Sequence, residues 1–497
     1  MKVSKFIILP AKGLVARSTE KVAVDPNVTD FLTKLSGHVE SRKTVSMKSK
    51  RLRTELPIKV LDSVRTDGAK LIALDPERIS QLHLAFPGIR IVPEVFFYKA
   101  VVPRQQLAPS IKKRAIGKSI RITVTGKDGK GVGGAQIVAF TDFENRQGAQ
   151  GTTSANGVAT LTLPSMTDTI ERLYIYPENT YWPLLKKNVK FKGLLLEVLL
   201  TSIDINYIDG VKYFYDNHNL PPLEKTIKVG VIDTGVGPHD DINLVGGECT
   251  VENENPEEYA DYDGHGTHVA GIISSFARTP SRKPCIEIFS FRVFPKTGDG
   301  ASNYSIVKAI DRAIEKGCHL INMSLGGGDA DDATKDAIAD AQSKGVICFV
   351  ATGNDDRGPV SFPANYSLSL AVGAMGRKGT FPKDSEPNDS VKAPYGKDKD
   401  NFVASFSNIG PEVDLIAPGV GIISCAPENR YAVMSGTSMA CPAATGMAAR
   451  LLIVEGSIMN QQGDSNRSNA MIKFLGTKLK SLGFEPRFEG QGMLGIG

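Results

Sequence analysis

The segment KVGVIDTG, residues 228–235, is a short run of β-branched residues that ends at Asp233. Small-residue helical stretches and further apolar runs alternate after it, beginning with HVAGIISSFA, IEIFSFRVF and YSIVKAIDRAIEK. This alternation is typical of βαβ units, in which apolar strands form a parallel sheet that is buried on both faces. We therefore predict an α/β fold, a doubly wound parallel sheet, over residues 204–497.

The residues before this domain show other patterns. Between residues 119 and 203, short alternating segments such as SIRITVTG and VATLTLP are separated by Asp-Gly and Asn-Gly turns, which predicts a small β-sandwich. Residues 1–102 mix predicted strands with two predicted helices and indicate a small α+β domain. Residues 103–118 contain the basic run 112–114 and have the composition of a linker.

Composition and charge exclude several classes of protein. The 497 residues are 41% hydrophobic and 23% charged, as in soluble globular proteins, and no apolar run approaches the roughly 20 residues that span a bilayer. We therefore predict no membrane partner. Residues 1–120 carry 23 Lys and Arg against 10 Asp and Glu, or +13, so that residues 121–497 carry −8 of the total of +5. A nucleic acid would explain the basic end, but we favour attraction between the two parts of one chain and predict no nucleic-acid partner.

The first residues and the cysteines bear on where the protein acts. MKVSK followed by FIIL imitates the start of a signal peptide, but Pro10 and Lys12 interrupt the apolar run after four residues. Six cysteines have no metal-ligand spacing, and we expect free, mostly buried thiols. Together these features predict a cytoplasmic protein, with secretion by a non-classical route as the alternative.

Three motifs contain residue types that perform hydrolytic chemistry, and each has a second interpretation. Asp233 in DTG could cap a turn, or it could belong to an aspartic protease, where this tripeptide is the active-site signature. His265 and His268 could bind a metal, although helical zinc sites place their histidines four residues apart with a glutamate between them. Ser438 in SGTSMA opens a predicted helix and could be its N-cap. Each motif alone leaves its function open.

The order of these motifs is similar to that of the subtilisin family. VIDTG, HGTHVAG, INMSLGG, ATGN, SFSNIGP, IAPG and GTSMA follow one another as in that family, over nearly all of residues 225–497. The resemblance implies a serine endopeptidase that hydrolyses peptide bonds of proteins or peptides through an acyl-enzyme. It implies that Ser438 is the nucleophile, that His265 is its general base and then acid, and that Asp233 orients the imidazole. Asn354 of ATGN would complete the oxyanion hole.

The same resemblance implies where a substrate binds. In this family the peptide lies as an added strand between two chain segments, and small residues there leave the backbone approachable. Ser361 would form the neutral base of the first specificity pocket, with Asp355 and Asp356 at its rim. A neutral base favours an apolar residue and the acids would favour Lys or Arg; we favour the apolar residue. The full set of expected substrate-binding residues is Gly300, Ala301, Ser302, Ser324, Leu325, Gly326, Gly327 and Ser361.

Two segments depart from the family pattern. Family members often bind calcium soon after the histidine motif, but residues 274–285 lack the carboxylates and amides that a hard cation needs. The resemblance thus implies that no cofactor is required, and the sequence does not support a metal site for calcium. Residues 376–401 form a charged insertion with Pro and Gly, for which we expect an exposed mobile loop.

The N-terminal region carries a second resemblance. AKLIALDPERISQLHLAFPGIRIVPEVFFYKA and the opening strand resemble the propeptide of subtilisin-like proteases. This implies that residues 1–102 are an intramolecular chaperone and inhibitor, in a self-inhibited and self-processing precursor that is cut near residues 98–114. The predicted sandwich resembles Ig-like or carboxypeptidase-regulatory-like modules.

Two other functions compete with this interpretation. The first is a catalytically silent protease-fold scaffold or binding protein that acts through the sandwich. The second is an aspartic protease built on Asp233, which would need another DTG-like segment or dimerisation and would leave the His265 and Ser438 motifs without a purpose.

Overall fold

The computed structural model describes residues 3–10, 26–39, 44–48, 55–109, 117–164, 167–191, 193–215, 225–277 and 285–495. Residues 112–114 of the predicted linker lie outside these ranges, as do residues 278–284 of the segment considered for calcium. All six cysteines lie within them, as free and buried thiols.

The N-terminal unit, residues 3–93, is one antiparallel sheet with two helices. Its elements are β1 (Ser4–Leu9), α1 (Pro26–Ser36), β2 (Thr44–Lys48), β3 (Glu55–Ser63), β4 (Lys70–Leu74), α2 (Ile79–Ala85) and β5 (Arg90–Pro93). The strands pair in the order β2-β3-β4-β1-β5. Because side chains alternate between the faces of a strand, Ile8 and Ile72 pack with the two helices, whereas Ile7 and Leu71 belong to a cluster with apolar residues between positions 232 and 413.

The two-sheet unit follows at residues 117–200. Its elements are β7 (Gly117–Thr125), β8 (Gln136–Asp142), β9 (Gln147–Thr152), β10 (Val158–Pro164), β11 (Thr169–Tyr176), β12 (Leu184–Lys190) and β13 (Leu195–Leu199), after β6 (Phe96–Lys99) of the preceding segment. One sheet has the order β10-β7-β13 and the other β12-β11-β8-β9. Ile122 and Leu161 of the first sheet share one hydrophobic core with Ile137 and Leu173 of the second, so the sheets pack face to face.

The C-terminal unit, residues 204–495, alternates strands and helices. Its elements are α3 (Gly210–Tyr215), β14 (Ile227–Asp233), β15 (Leu244–Cys249), α4 (His265–Ser275), β16 (Ile286–Arg292), β17 (Ala301–Ser302), α5 (Asn303–Glu315), β18 (Leu320–Met323), β19 (Leu325–Gly326), α6 (Asp332–Ser343), β20 (Ile347–Ala351), β21 (Ser369–Arg377), β22 (Asn401–Val403), β23 (Leu415–Pro418), β24 (Ile422–Ala426), β25 (Arg430–Met434), α7 (Thr437–Glu455), α8 (Ser465–Gly476), β26 (Leu479–Lys480), α9 (Pro486–Glu489) and β27 (Met493–Leu494).

Eight of these strands form the central sheet. Their order is β15-β16-β14-β18-β20-β21-β22, with β23 also beside β21, and only the pairing of β22 with β21 is antiparallel. From β14 the chain runs to the outer strand β15 and back to β16, and then crosses to β18, β20 and β21 on the other side of β14, as in a doubly wound sheet. The prediction of an α/β fold with a parallel sheet is therefore confirmed.

Helices cover both faces of the central sheet. Val229 and Val231 of β14 pack with α4 and α7, and Ile232 packs with α5 on the other face. Helix α7 is long and apolar enough to cross a membrane by length and composition, but 89% of its apolar window is buried inside the protein. It is the core helix of this unit, and it begins beside the carboxyl ends of the central strands.

The charged insertion at residues 376–401 differs from the mobile loop that the sequence predicts. It contains a 3₁₀-helix, Glu386–Ser390, and its last residue begins β22. Asp389 accepts hydrogen bonds from the Tyr174 hydroxyl at 2.8 Å and from Arg172 at 3.2 Å, and the Leu185 N–H donates to the Asp384 carbonyl at 3.0 Å. The insertion is therefore bonded to the two-sheet unit through a side chain and through the backbone.

Candidate active site

Asp233 and His265 meet at the carboxyl end of the central sheet. Asp233 ends β14, a strand buried between two neighbours, and His265 is the first residue of α4. The His265 Nδ1 and Asp233 Oδ1 atoms are 2.7 Å apart, and the two side chains are 2% and 0% exposed. The carboxylate also accepts the Thr234 N–H at 2.7 Å. This pair fixes the ring so that its Nε2 atom is the one left for chemistry.

Asp261 holds the two halves of this pair together. Its carboxylate accepts the Thr234 hydroxyl at 2.9 Å, and it accepts the N–H groups of Gly264 at 2.9 Å and Thr267 at 2.8 Å. The Thr234 hydroxyl in turn accepts the Gly266 N–H at 2.8 Å. A Cβ atom at Gly266 would lie 2.0 Å from the Gly235 carbonyl oxygen, so only glycine allows this approach. The start of α4 is thus tied to the end of β14.

The two histidines of α4 have opposite electrostatics. Burial disfavours a charged imidazole at His265, but the neighbouring Asp233 carboxylate outweighs burial and raises the pKa of His265 above its ordinary value. Burial lowers the pKa of His268 to about 3. The His268 Nε2 atom lies 3.1 Å from the Ile422 carbonyl and 3.2 Å from the Ala432 carbonyl, so this neutral ring is a donor that joins β24 and β25 to α4. The arrangement does not suit a metal ion bound by both histidines.

Ser438 lies in the first turn of α7 and is fully buried. Its N–H donates to the Ala100 carbonyl at 2.9 Å, and its hydroxyl donates to the Ser324 carbonyl at 2.9 Å. Among the residues that the structure describes, none is hydrogen-bonded to His265 Nε2. The serine is therefore turned away from the imidazole, toward β18 and β19, while the Ala100 segment covers the site.

Asn354 follows β20 and faces the same helix start. Its Oδ1 atom accepts the Thr437 N–H at 2.9 Å and the Thr437 hydroxyl at 3.0 Å. Because both Thr437 groups are donors, the atom that accepts them is the amide oxygen. The Nδ2 group at the other end of the amide is left as a donor. That nitrogen is buried and has no hydrogen-bond partner within the described ranges. A buried donor without a partner is costly, and a developing negative charge on a reacting oxygen would satisfy it.

An extended stretch of the chain itself occupies the cleft. Strand β6 lies antiparallel to both β17 and β19: Ala301 pairs with Phe97, and Leu325 pairs with Lys99. Beyond the strand, the Ala100 N–H donates to the Ser324 carbonyl at 3.1 Å, and the Val102 N–H donates to the Ser435 carbonyl at 3.0 Å. The backbone is therefore held on both sides of the Ala100–Val101 peptide bond.

The expected substrate-binding residues surround this strand. A Cβ atom added at Gly300 would lie 3.1 Å from Phe96, and one at Gly327 would lie 3.9 Å from Tyr98. Ser361 donates its hydroxyl to the Thr352 carbonyl at 3.0 Å, and a Cβ at Gly326 would lie 2.6 Å from that hydroxyl oxygen.

Side chains of the occupying strand also have defined partners. Phe97 is fully buried in a cluster with Ala301, Tyr304 and other residues of the C-terminal unit. Lys99 forms an ion pair with Asp263, with Nζ and Oδ2 2.5 Å apart. Asp355, expected at the rim of the first pocket, accepts the Asn408 amide at 2.7 Å, so this carboxylate already has a partner.

Several residues of the site were not singled out from the sequence as functional. They include Asp261 and Asp263, in the turn before His265, and Thr437 of the GTSMA motif. The spacing D-x-D-G-H around the histidine was the available signal for the first two, because carboxylates just before a helix accept its free N–H groups. Ala100 gave no signal, since its role comes from where the fold places it.

One cluster outside the cleft has metal-ligand residue types. The ligand atoms of His239, Asp241 and Cys425 lie within 4.8 Å of one another. His239 Nε2 is 3.1 Å from the Arg430 carbonyl, and His239 Nδ1 accepts the Asp241 N–H at 3.1 Å. Both ring nitrogens are in use, so this cluster does not fit a metal ion.

Comparison with known proteins places this chain in a family. Residues 224–472 match the family model described as the subtilase family, peptidase S8. The chain is 33% identical over 269 residues to Subtilisin Savinase of Lederbergia lenta, which is 54% of this chain and 91% of that protein. It is also 33% identical to the alkaline protease of Shouchella clausii, of which it covers 64%, and 35% identical to Subtilisin DY of Bacillus licheniformis, of which it covers 76%.

These relatives correct the predicted location. The comparison is with secreted extracellular alkaline proteases, so the prediction of a cytoplasmic protein is wrong. The free thiols that suggested it carry little weight, because all six are buried. A thiol without access to solvent reacts slowly with an oxidant and does not report the compartment.

Proposed function

Because the chain belongs to the subtilase family and is a serine endopeptidase, we propose that Ser438, His265 and Asp233 are its catalytic triad. The contact of 2.7 Å between His265 and Asp233 and the position of Ser438 in the first turn of α7 support these roles. Subtilases need no cofactor for this chemistry. Asp233 keeps the proton on His265 Nδ1, so that Nε2 accepts the serine proton.

The reaction that follows from this geometry has two stages. Ser438 rotates from the Ser324 carbonyl to His265 and attacks the carbonyl carbon of the substrate, while Nε2 takes the hydroxyl proton. The Ser438 N–H and the Asn354 Nδ2 group hold the oxyanion. The intermediate expels the amine, which receives the proton from His265, and leaves an acyl-enzyme. Water activated by the same imidazole then releases the new carboxylate and restores the serine.

We propose that the first substrate is the chain itself, cut between Ala100 and Val101. The observation that carries this proposal is the Ala100 carbonyl oxygen, which accepts the Ser438 N–H at 2.9 Å within a strand held between β17 and β19. The carbonyl group of a bond about to be cut by Ser438 would occupy this position. It lies inside the interval 98–114 expected from the sequence.

The N-terminal unit would remain as an inhibitor after that cut. Its sheet packs an apolar face against α5 and α6, and ion pairs cross the contact. They include the pairs of Lys5 with Glu252, Arg65 with Asp311, Arg90 with Asp332 and Lys308 with Asp62. Strand β6 then fills the cleft as a product. We propose residues 1–102 as an inhibitor-like domain, of which residues 1–100 remain bound after the cut, 119–203 as a β-sandwich module and 204–497 as the catalytic domain.

The occupying strand also suggests which substrates the cleft accepts. Ala100, immediately upstream of the bond, is small and apolar, in agreement with the neutral Ser361. Lys99 indicates that a cation is accepted at the second upstream residue, opposite Asp263. Phe97 indicates an aromatic or large apolar side chain at the fourth, because its ring is fully buried.

A fluorophosphonate probe tests the proposed nucleophile. We expect the processed chain to be labelled on Ser438, and Ser438→Ala to lose both the label and peptide hydrolysis. Ser457→Ala, a change at an exposed serine just after α7, is the matched control and should retain both. A pepstatin-type inhibitor should have no effect. Labelling that persists in Ser438→Ala, or no labelling of the processed chain, would contradict the proposal.

A further inference from the structure

The four-stranded sheet of the two-sheet unit is apolar on both faces. Its inner face contributes Ile137 and Leu173 to the core between the sheets. The alternate residues form a second cluster on the outer face, where an antiparallel sheet that faced water would be polar. No residue of this second cluster is more than 6% exposed: Val138, Phe140, Tyr174, Tyr176 and Leu185. The outer face is therefore suited to pack against another stretch of polypeptide.

Residues 103–108, the first part of the predicted linker, lie on this outer face. The Leu107 side chain packs against the apolar cluster. The Gln105 N–H donates to the Tyr176 hydroxyl at 3.1 Å, and the Ala108 N–H donates to the Arg146 carbonyl at 3.0 Å. Arg104 lies over the Tyr176 ring, 5.4 Å from its centroid, and donates to the Gln136 side chain at 3.3 Å. The outer face thus contacts both the backbone and the side chains of residues 103–108.

The same stretch leads directly out of the cleft. Leu107 is the seventh residue after Ala100, and an extended chain covers roughly 23 Å in seven residues. Between the cleft and the sheet lies a cavity of about 380 Å³, whose lining includes Val101, Arg104, Tyr176, His265 and Glu386. The groove that begins at His265 therefore continues onto the two-sheet unit. Glu386 places a carboxyl group beside the path of Arg104.

We propose that this surface, the docking face (Gln136, Val138, Phe140, Arg146, Tyr174 and Tyr176), binds substrate polypeptides downstream of the cut. It takes an extended chain with a cationic side chain at the fourth residue after the scissile bond and a large apolar one at the seventh. The inference rests on the proposed cleavage at Ala100–Val101, because the fourth and seventh positions are counted from that bond. In the structure the chain's own residues 103–108 are the downstream part of the first substrate.

Two amidated peptides test the docking face. One has the sequence of residues 96–109 and the other stops after residue 103, so that both contain the same scissile bond. With the processed full chain as enzyme, we expect kcat/KM to be on the order of 10- to 100-fold higher for the long peptide. The gain comes from one partly buried leucine, one cation over a ring and two hydrogen bonds from backbone N–H groups. Arg104→Glu and Leu107→Asp in the long peptide should remove most of this advantage. Gln106→Ala is the matched control, since that side chain is exposed.

Changes in the enzyme separate recognition from general damage. Tyr176→Phe keeps the ring but loses the hydroxyl that accepts the Gln105 N–H, and should lower the ratio of long to short kcat/KM by about 2- to 10-fold. Leu107→Ala in the enzyme weakens its own bound segment, a competitor for the face, and should raise the ratio.

The outcomes distinguish this inference from the proposed function. Equal kcat/KM for the two peptides, with both the unaltered and the Leu107→Ala enzyme, would overturn the docking face and leave the protease intact. No cleavage of either peptide, together with no fluorophosphonate label, would overturn the proposed function and the docking face with it.

Discussion

The His265 imidazole lies between opposing electrostatic effects. Burial disfavours its positive charge, whereas the Asp233 carboxylate 2.7 Å away stabilises that charge and raises the pKa. A base must be neutral to accept the serine proton. Activity should therefore be present above the pKa of His265 and should be lost as the pH falls through it. Because this pKa is raised, the loss should begin above the ordinary histidine range of about 6.5.

Asp233→Asn tests this account. An amide cannot stabilise the imidazolium and favours the wrong tautomer, so kcat should fall by about 10⁴-fold. The acid limb of kcat/KM should also move to lower pH, since burial then acts on the imidazole without an opposing charge. Asp128→Asn, in an exposed turn of the two-sheet unit, is the matched control and should change neither value. If the acid limb of kcat/KM does not shift in Asp233→Asn, that limb reports the titration of a group other than His265.

At the scale of elements, the insertion at residues 376–401 and the two-sheet unit support each other. Asp389 accepts hydrogen bonds from Tyr174 and Arg172, and Arg172 also lies 3.5 Å from the centre of the Phe143 ring. The Asp389 side chain is 24% exposed, so these bonds are partly shielded from water. They hold the four-stranded sheet, and with it the docking face, in line with the cleft.

Asp389→Ala should loosen this contact. Losing charged hydrogen bonds to partly buried partners costs about 1–3 kcal/mol, which lowers a melting temperature by roughly 2–4 °C per kcal/mol in units of this size. The measurement is thermal unfolding in the Ser438→Ala background, which prevents self-digestion. Asp384→Ala removes an exposed carboxylate from the same insertion and keeps the backbone bond to Leu185. If both variants unfold at the same temperature, Asp389 does not join the units.

Many of the strands and helices could be predicted from the sequence, for physical reasons. The buried strand at 228–233 and the small-residue helices after Gly264 and Gly436 follow from apolar runs and glycine, and they carry Asp233, His265 and Ser438. The insertion could not be predicted, because a charged segment that bonds to another unit has the same composition as a solvated loop. The composition of residues 103–118 predicts a linker for the same reason: the partners of residues 103–108 lie at distant positions in the sequence, on β8, on β11 and at Arg146.

At the scale of the whole molecule, the uneven charge of the chain has a structural counterpart. Basic residues of the N-terminal region meet acidic residues of the C-terminal unit in several ion pairs around an apolar contact. A further pair has the opposite polarity, with Asp62 in the N-terminal unit and Lys308 in the C-terminal unit. In the pair between Lys308 and Asp62 the charged atoms are 2.7 Å apart, and the two side chains are only 14% and 20% exposed. Partial burial protects this pair from screening by salt. It is the pair for which removal of one partner should matter most.

Asp62→Asn should therefore release the inhibitor sooner. We expect the processed chain to gain activity on a short peptide several-fold faster than the unaltered chain, because Lys308 is left without its partner at the interface. Raising NaCl from 0.05 to 0.5 M should accelerate release in both chains, since the more exposed pairs are screened. Asp30→Asn, which alters an exposed pair within α1, is the matched control and should not change the rate. Equal rates for Asp62→Asn and the unaltered chain would show that the Lys308–Asp62 pair does not hold the inhibitor.

The central claim is that the triad cuts the strand that lies in its own cleft, and N-terminal sequencing with intact-mass measurement tests it most directly. The account predicts that the purified, processed chain has a new N-terminus at Val101, and that Ser438→Ala keeps the full mass of the 497-residue chain under the same conditions. A Ser438→Ala chain cut at the same bond, or a first cut elsewhere in the unaltered chain, would contradict it.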